Sequence, residues 1–188
     1  MTEKRESQRV VHQFQPVFDS RSRVLILGTM PSPKSREQGF YYGHPRNRFW
    51  PVLAQVLGEP QPETIEEKTE MALRHGVAVW DVLASCDIHG ADDTSIRNPV
   101  PNDMSRILDR APVQAIFTTG TKATALFRRY CAEQAGMDPI PLPSTSPANC
   151  RFFTYGQILD AYRAILPLLS EPDQHMPAGQ KGKPHGTA

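Results

Sequence analysis

The sequence is poor in net charge and in long apolar runs. Its 21 Lys and Arg residues nearly balance 20 Asp and Glu residues, so the formal net charge is only +1 at pH 7. A protein that coats nucleic acid non-specifically is usually far more basic, so any such contact has to rely on a local patch. No stretch approaches the ~20 apolar residues that a membrane-spanning helix requires, and we expect no membrane segment.

Cysteine is also scarce. Cys86, Cys131 and Cys150 are odd in number, widely spaced and form no CxxC pair, which disfavours a zinc knuckle or an iron–sulfur cluster. We therefore expect reduced thiols, no metal site and no cofactor. Residues 1–9 are polar and charged, which predicts no signal peptide and a cytoplasmic location.

Several catalytic signatures are missing. The sequence has no GxxxxGK[ST] loop and no GxGxxG turn, which disfavours the common nucleotide-binding α/β enzymes. A GxSxG elbow is absent, so a serine hydrolase is disfavoured. The HxE and PCxxC elements of zinc deaminases are absent as well.

The length of 188 residues suggests one domain, which we place at residues 10–170. The remaining tail, residues 171–188, is rich in Pro, Gly, Lys and His and is predicted to be disordered. Four short runs have the composition of β-strands, at residues 23–29, 77–83, 113–120 and 139–144. The first and third are almost continuously apolar and end in Gly, as expected of parallel strands buried on both faces.

Helical patterns separate these runs, at residues 49–57, 64–75, 102–110, 121–133 and 154–166. Strands that alternate with helices predict a three-layer α/β/α sandwich around a short, mainly parallel, four-stranded sheet. Ligands of such sheets bind at the carboxyl ends of the strands. The loops that follow Thr29, Leu83, Gly120 and Leu142 should therefore surround one cleft.

Residues 28–35 (GTMPSPKS) form the first of these loops. Gly28 permits close approach of a ligand to the backbone, and Pro31 stiffens the turn. Such turns end many strands, so the loop alone carries little weight.

Residues 41–50 (YYGHPRNRFW) are less ordinary, because they combine four aromatic residues with a His, an Asn and two Arg. A pocket that stacks a planar base and hydrogen-bonds to its edge needs both kinds of side chain. We expect Tyr42, Asn47 and His44 to line such a pocket, whereas Phe49 and Trp50 begin an apolar helix face and fit core packing.

Residues 142–149 (LPSTSPAN) form a third loop, stiffened by Pro and rich in hydroxyl groups. Hydroxyls and free backbone N–H groups of this kind can hold phosphates without net charge. A plain surface turn is the alternative for this loop alone. Lys122, after Gly120, is a candidate for a further phosphate contact or a solvated helix start.

Together these three segments resemble the uracil-DNA glycosylase superfamily. The shared features are a G-x-x-P loop after the first strand, an aromatic-Gly-His-Pro-x-Asn-x-Phe-Trp segment and a Pro-Ser loop before the last helix. Residues 44–50 are similar to the mismatch-specific uracil/thymine glycosylases. Residues 41–47 together with 144–149 more closely resemble the hypoxanthine-DNA (deoxyinosine) glycosylase branch. The resemblance covers roughly residues 17–169.

The resemblance implies a monofunctional glycosylase that flips a deaminated base out of DNA and hydrolyses its N-glycosidic bond. It implies catalytic roles for Asn47 and His44, and a base-binding site made of Gly28, Thr29, Met30, Pro31 and Tyr42. The third loop and the helix start imply DNA contacts by Ser144, Thr145, Ser146, Pro147, Ala148, Asn149 and Lys122, with Ala148 and Asn149 as candidates for the wedge that fills the vacated stack. The implied partner is DNA that contains deoxyinosine or uracil, bound by a monomer.

Two positions depart from most branches. Met30 stands where Asp, Asn or Glu usually holds the attacking water, and Leu142 stands where His or Asn often begins the final loop. Met30 fits the hypoxanthine branch, in which catalysis falls to the Asn that matches Asn47. A mismatch-specific uracil or thymine glycosylase and a non-catalytic nucleic-acid-binding relative remain open alternatives.

Overall fold

The computed structural model describes residues 7–169. The strands are β1 Gln8–Val11, β2 Val24–Gly28, β3 Val77–Asp81, β4 Leu83–His89, β5 Asp92–Pro101, β6 Ala115–Thr119 and β7 Ile140–Leu142. The helices are α1 Pro33–Gln38, α2 Phe49–Leu57, α3 Ile65–Arg74, α4 Ser105–Leu108, α5 Thr121–Tyr130, α6 Ala132–Ala135, α7 Tyr155–Tyr162 and α8 Leu166–Leu169. The predicted tail at residues 171–188 lies outside the described residues.

Four strands form a parallel sheet in the order β3-β2-β6-β7. Every residue of β2, β3 and β6 is buried, which explains their near-continuous apolar sequences. The chain steps from β2 to β3 in one direction, then crosses back to β6 and β7. Right-handed crossovers therefore place the connecting helices on opposite faces, and the predicted three-layer α/β/α sandwich is confirmed.

The helices follow local sequence signals. Helix α2 has the predicted bounds and ends at Gly58, whose positive φ of 70° forms a left-handed cap. Helix α3 begins with a capping box in which Thr64 and Glu67 exchange side-chain and backbone hydrogen bonds. Only four residues of the predicted 102–110 helix are helical. The helix begins after Asn102, whose side chain donates to the carbonyl of Asp81, and Asp103, whose side chain accepts from the backbone N–H of Ser105.

A second sheet, antiparallel and ordered β1-β4-β5, was not predicted. The sequence predicts one strand at residues 77–83, but β3 ends at Asp81 and β4 begins at Leu83 in the other sheet. Only Val82 separates β3 from β4 in the chain, so the β4–β5 hairpin starts at the carboxyl end of the parallel sheet. This position brings the hairpin to the side where a ligand is expected.

Candidate active site

A cavity of about 330 Å³ lies at the carboxyl ends of β2, β3, β6 and β7. Its volume lies within the range of small-molecule sites, about 300–1,000 Å³. Twelve of the fourteen residues singled out from the sequence line it, namely Gly28, Thr29, Met30, Pro31, Tyr42, His44, Asn47, Ser144, Thr145, Ser146, Pro147 and Ala148. The first and third loops therefore meet at one site, as their places after β2 and β7 predict, and the 41–50 segment joins them there.

The first loop approaches its neighbours through Gly28. A Cβ atom on Gly28 would lie 2.4 Å from Oδ1 of Asp81 and 3.2 Å from the hydroxyl oxygen of Tyr42. Because Gly28 has no side chain, the Asp81 carboxylate can pack against the end of β2. Met30 follows as an apolar wall residue that is 9% exposed.

Asp81 is the buried carboxylate of the cavity floor. Nε2 of His12 lies 2.8 Å from Oδ2 of Asp81, and their side chains are 3% and 6% exposed. The backbone N–H of Phe14 donates to Nδ1 of the same ring, so Nε2 carries the proton and donates to the carboxylate. The second oxygen, Oδ1, is the one that packs beside Gly28, and Asp81 lines the cavity.

Tyr42 presents its ring to the cavity from an unusual backbone conformation. Its φ is +53°, a left-handed conformation that costs a non-glycine residue about 1–2 kcal/mol. The ring stacks on Phe49 with centroids 3.8 Å apart, and the hydroxyl lies 3.4 Å from Oγ1 of Thr119. Burial raises the pKa of the Tyr42 phenol, so the hydroxyl remains protonated at neutral pH.

The amide of Asn47 has a fixed orientation. Oδ1 accepts a hydrogen bond of 2.9 Å from the backbone N–H of Phe49, at the start of α2. An N–H donor requires the amide oxygen and not the nitrogen, so the orientation follows from the contact itself. Nδ2 makes no hydrogen bond to another described residue, and Asn47 thus offers the cavity a donor group.

His44 has one nitrogen engaged and one available. The backbone N–H of Arg46 donates to Nδ1 at 3.0 Å, which leaves the proton on Nε2. The carbonyl of His44 accepts from the backbone N–H of Asn47 at 2.8 Å. His44 therefore braces the turn that holds Asn47 and keeps one N–H donor at the cavity wall.

The third loop is held by its own hydroxyls. Oγ of Ser144 donates to Oγ of Ser146, and the backbone N–H of Ser146 donates back to Oγ of Ser144. Thr145 is 1% exposed, and its carbonyl accepts from the backbone N–H of Arg48 at 3.0 Å. This bond fastens the third loop to the segment that carries His44 and Asn47.

The structure does not place Asn149 or Lys122 in the cavity wall. Nδ2 of Asn149 donates to the carbonyl of Ser144 at 2.8 Å, so this side chain braces the loop from within. Lys122 lies in the first turn of α5, near enough to affect the ionisation of Asp93. Beyond the loop, Phe152 is the most exposed large apolar residue of the described chain, at 65%, and Arg151 covers its ring at 4.7 Å.

The second sheet contributes a wall that sequence reasoning missed. Ala91 and Asp93, at the β4–β5 hairpin, line the cavity beside the first loop. Along β5 the exposed residues Asp92 and Thr94 alternate with the less exposed Asp93 and Ser95, so Asp93 points inward. Thr29, which also lines the cavity, partly offsets the rise in the pKa of Asp93 that burial causes.

A sequence signal for Asp81 was available. A lone carboxylate that ends a buried apolar strand stands where parallel sheets bind ligands. The strand predicted at residues 77–83 continues past Asp81 to Leu83, which hides this signal. For Asp93 no comparable signal exists, because residues 92–96 (DDTSI) contain a single apolar residue, Ile96. His12 lies far from both in sequence, and nothing local indicates its pairing with Asp81.

Neither a metal centre nor a membrane helix is found among residues 7–169. No group of three or more His, Cys, Asp or Glu side chains there is arranged to hold a metal ion. None of the helices in this range has the length and apolarity to cross a membrane.

Comparison with known proteins gives a consistent family. The sequence model described as the uracil DNA glycosylase superfamily matches residues 15–166. A hypoxanthine DNA glycosylase of Methanosarcina acetivorans is 33% identical over 141 residues, which cover 74% of this chain and 88% of that protein. A hypoxanthine DNA glycosylase of Methanosarcina barkeri is 34% identical over 112 residues, covering 58% of this chain and 71% of that protein.

A solved structure shares the fold. The solution NMR structure of a candidate uracil DNA glycosylase from Methanosarcina acetivorans aligns with a TM-score of 0.71 and 28% sequence identity. The alignment covers 85% of this chain and 99% of that structure.

Proposed function

Because this chain belongs to the uracil DNA glycosylase superfamily, we propose that it excises a deaminated base from DNA, and that its substrate is hypoxanthine in deoxyinosine. The base is flipped into the cavity and its N-glycosidic bond is hydrolysed. Two relatives whose names state this activity support the assignment. The partner is DNA, bound by a monomer in the cytoplasm.

The fixed amide of Asn47 carries the proposal. Glycosidic bonds break through a state in which positive charge develops on the sugar and negative charge on the departing base. Positioned dipoles stabilise such a state without a covalent nucleophile. The two N–H bonds on Nδ2 of Asn47 can hold the attacking water or a carbonyl of the base, because Oδ1 is committed to the helix start.

The polar groups of the cavity match a deaminated base. Deamination converts an amine on a ring into a carbonyl next to a ring N–H, so the new edge offers one acceptor and one donor. Asp81 supplies an acceptor and Asn47 supplies a donor in the same cavity. Adenine, which has a ring acceptor beside an amine, presents the opposite pattern, and the site therefore disfavours it.

The remaining residues hold the flipped nucleotide. One face of the Tyr42 ring is covered by Phe49, and the cavity side of the ring stacks on the base. Backbone groups of Gly28, Thr29, Met30 and Pro31 contact its edge. His44 donates from Nε2 toward the base.

The third loop supplies the phosphate contacts. The hydroxyls of Ser144 and Ser146 hold the phosphates beside the flipped nucleotide, with backbone groups of the buried Thr145 and of Pro147, Ala148 and Asn149 completing the loop surface. Lys122 adds a charged contact at the cavity rim. These local groups replace the strongly basic surface that a net charge of +1 does not provide.

Hypoxanthine also satisfies the energetics of extrusion. Flipping a base costs a few kcal/mol, and less when the base is mispaired. Hypoxanthine opposite thymine is such a mispair, since adenine is deaminated within an A·T pair. The larger cost of extruding a normal base adds to the selectivity of the cavity.

The test measures strand cleavage after alkali, with duplexes that carry one inosine or one uracil. The wild type is compared with Asn47→Ala, which removes both the donor and the helix cap, and with Asn47→Asp, which keeps an oxygen to cap Phe49 but loses the Nδ2 donor. We expect inosine release by the wild type and a loss of at least ~100-fold in both variants, the magnitude found for single positioned donors.

The alternatives give different results. Uracil release without inosine release would assign the chain to a uracil-specific branch. DNA binding without release of either base would identify a non-catalytic relative. Full activity of Asn47→Asp would show that the amide serves only the helix cap.

A further inference from the structure

We propose that Asp93 is the general acid that protonates N7 of hypoxanthine as the base departs. The inference rests on the proposed function, because it concerns the same cavity and the same substrate. Asp93 belongs to the antiparallel hairpin and not to any of the three loops that carry the family resemblance.

The charges of the cavity require neutral departure of the base. Two carboxylates, Asp81 and Asp93, line the wall, and the described wall residues include no Lys or Arg. An ionised carboxylate in this wall repels the negative charge that develops on the purine, whereas a protonated one can neutralise it by giving up its proton. A proton delivered to a ring nitrogen removes that charge, and N7 is a basic ring atom that the base keeps accessible after it leaves the duplex.

The two carboxylates have different surroundings. Asp81 accepts a hydrogen bond from His12 at 2.8 Å, and Asn102 donates to its backbone carbonyl. For Asp93, by contrast, desolvation by burial is the largest influence on the pKa. Carboxyl pairs in unequal surroundings commonly divide into one proton donor and one ionised group.

The charged groups that face Asp93 come from several elements. Desolvation raises the pKa of Asp93, and the carboxylates of Asp81 and Asp92 raise it further, whereas the Thr29 hydroxyl and Lys122 lower it. The net shift is upward, which favours the protonated form that an acid requires. The neighbouring thiol of Cys86 stays neutral, because burial raises its pKa, and the remaining titratable groups of the wall are Tyr41, Tyr42 and His44.

The step balances without a further reactant. The C1′–N9 bond breaks and its electron pair goes to the base, while the carboxyl proton of Asp93 moves to N7, so hypoxanthine leaves as a neutral tautomer. The oxygen of a water molecule forms the new bond to C1′. One proton of that water then goes to solvent or to the Asp93 carboxylate, which restores the acid.

The test compares single-turnover rates of inosine release across pH for the wild type, Asp93→Asn and the control Asp92→Asn. Asp92 is the exposed neighbour, and its turn contacts to Thr94 use an oxygen that Asn retains. General acids contribute about 10²–10⁴-fold, so we expect Asp93→Asn to lose at least ~100-fold at neutral pH. DNA affinity and the Asp92→Asn rate should stay within about threefold of the wild type.

The pH profile identifies the role. The wild-type rate should fall as pH rises through the raised pKa of Asp93, because the acid form is consumed. In Asp93→Asn the inflection at that pKa should disappear. The slower rate should instead rise steadily toward low pH, as solvent protons reach N7 directly. A wild-type rate that instead rises with pH would assign Asp93 to activation of the water, and a loss under tenfold in Asp93→Asn would overturn a catalytic role.

Failure of the two proposals is distinguishable. If the wild type releases hypoxanthine and Asp93→Asn does so equally well, only the acid assignment is wrong. If the wild type releases no hypoxanthine at all, the substrate assignment fails and the acid assignment fails with it.

Discussion

The imidazole of His12 donates from Nε2 to Oδ2 of Asp81 across 2.8 Å, although 69 residues separate the two in the chain. Both side chains are almost fully buried. The bond joins the segment after β1 to the end of β3, so it links the antiparallel sheet to the floor of the cavity. A carboxylate at this depth requires such a partner, because an unpaired buried charge is costly.

Removal of this partner should destabilise the fold. His12→Ala leaves the Asp81 carboxylate buried without its donor, and we expect the free energy of unfolding to fall by about 3 kcal/mol. Urea denaturation at neutral pH measures the change. The double variant His12→Ala/Asp81→Asn should recover part of the loss, since no charge is then stranded; equal losses in the single and double variants would contradict this account.

Gly28→Ala should damage the cavity while the sheet survives. The added Cβ would lie 2.4 Å from Oδ1 of Asp81, so the carboxylate must move, at a cost of about 1–3 kcal/mol. We expect inosine release to drop by at least ~100-fold, because misplacement of catalytic groups by about 1 Å has that effect.

Gly156→Ala is the matched control for this steric argument. Gly156 lies in α7, and a Cβ there meets nothing within 4 Å. This substitution should leave base release unchanged and raise stability by up to about 1 kcal/mol, since Ala favours helix over Gly. A parallel loss of activity in both variants would remove the steric explanation for Gly28.

The parallel sheet was predictable because its signals are local. Strands buried on both faces have largely apolar sequences, as β2 and the first three residues of β6 do, and α2 and α3 have clear starts and ends. The convergence of the first and third loops, which follow β2 and β7, then follows from the rule that ligands bind at the carboxyl ends of parallel strands. For these reasons, twelve of the proposed site residues were found on one cavity wall.

The antiparallel sheet was not predictable in the same way. β5 is long, largely exposed and mostly polar, with a register interrupted by bulges against β4, so neither an apolar run nor strict alternation marks it. The sheet is completed by β1, which pairs with β4 from a distant part of the chain. The roles of His12 and Asp93 depend on this tertiary arrangement, and no spacing between motifs encodes it.

Tyr42 should contribute through its ring and not through its hydroxyl. At φ +53°, Phe and Ala share the backbone strain of Tyr, so differences among the three report the side chain. Tyr42→Phe keeps the stack on Phe49 and should release inosine within about threefold of the wild type. Tyr42→Ala should weaken binding of inosine-containing DNA by about 5- to 150-fold, since stacking on a base contributes about 1–3 kcal/mol.

Fluorescence anisotropy with inosine-containing and undamaged duplexes separates the possibilities for Tyr42. Loss of affinity for the inosine duplex alone indicates contact with the flipped base. Equal loss for both duplexes would indicate that the ring only supports the loop. A large loss of inosine release in Tyr42→Phe would show that the Tyr42 hydroxyl, which lies beside Thr119, contributes and not only the ring.

Phe152 should be the apolar contact with the DNA stack, in place of Asn149. The amide of Asn149 is engaged with the Ser144 carbonyl, whereas Phe152 is 65% exposed just beyond the third loop. Apolar side chains inserted beside a flipped base stabilise the opened duplex. We expect Phe152→Ala to weaken duplex binding by about 5- to 150-fold and to slow inosine release, with unfolding unchanged within about 0.5 kcal/mol.

Tyr130→Ala is the control for Phe152, because Tyr130 is also an exposed aromatic residue beside an arginine. It is 37% exposed at the far end of α5, with Arg129 at 5.2 Å from its ring. Loss of a generic aromatic–arginine pair would affect both variants equally. Because only Phe152 follows the third loop closely in the chain, only its substitution should reduce binding. The reduction should be smaller on single-stranded DNA, where no vacated stack has to be filled.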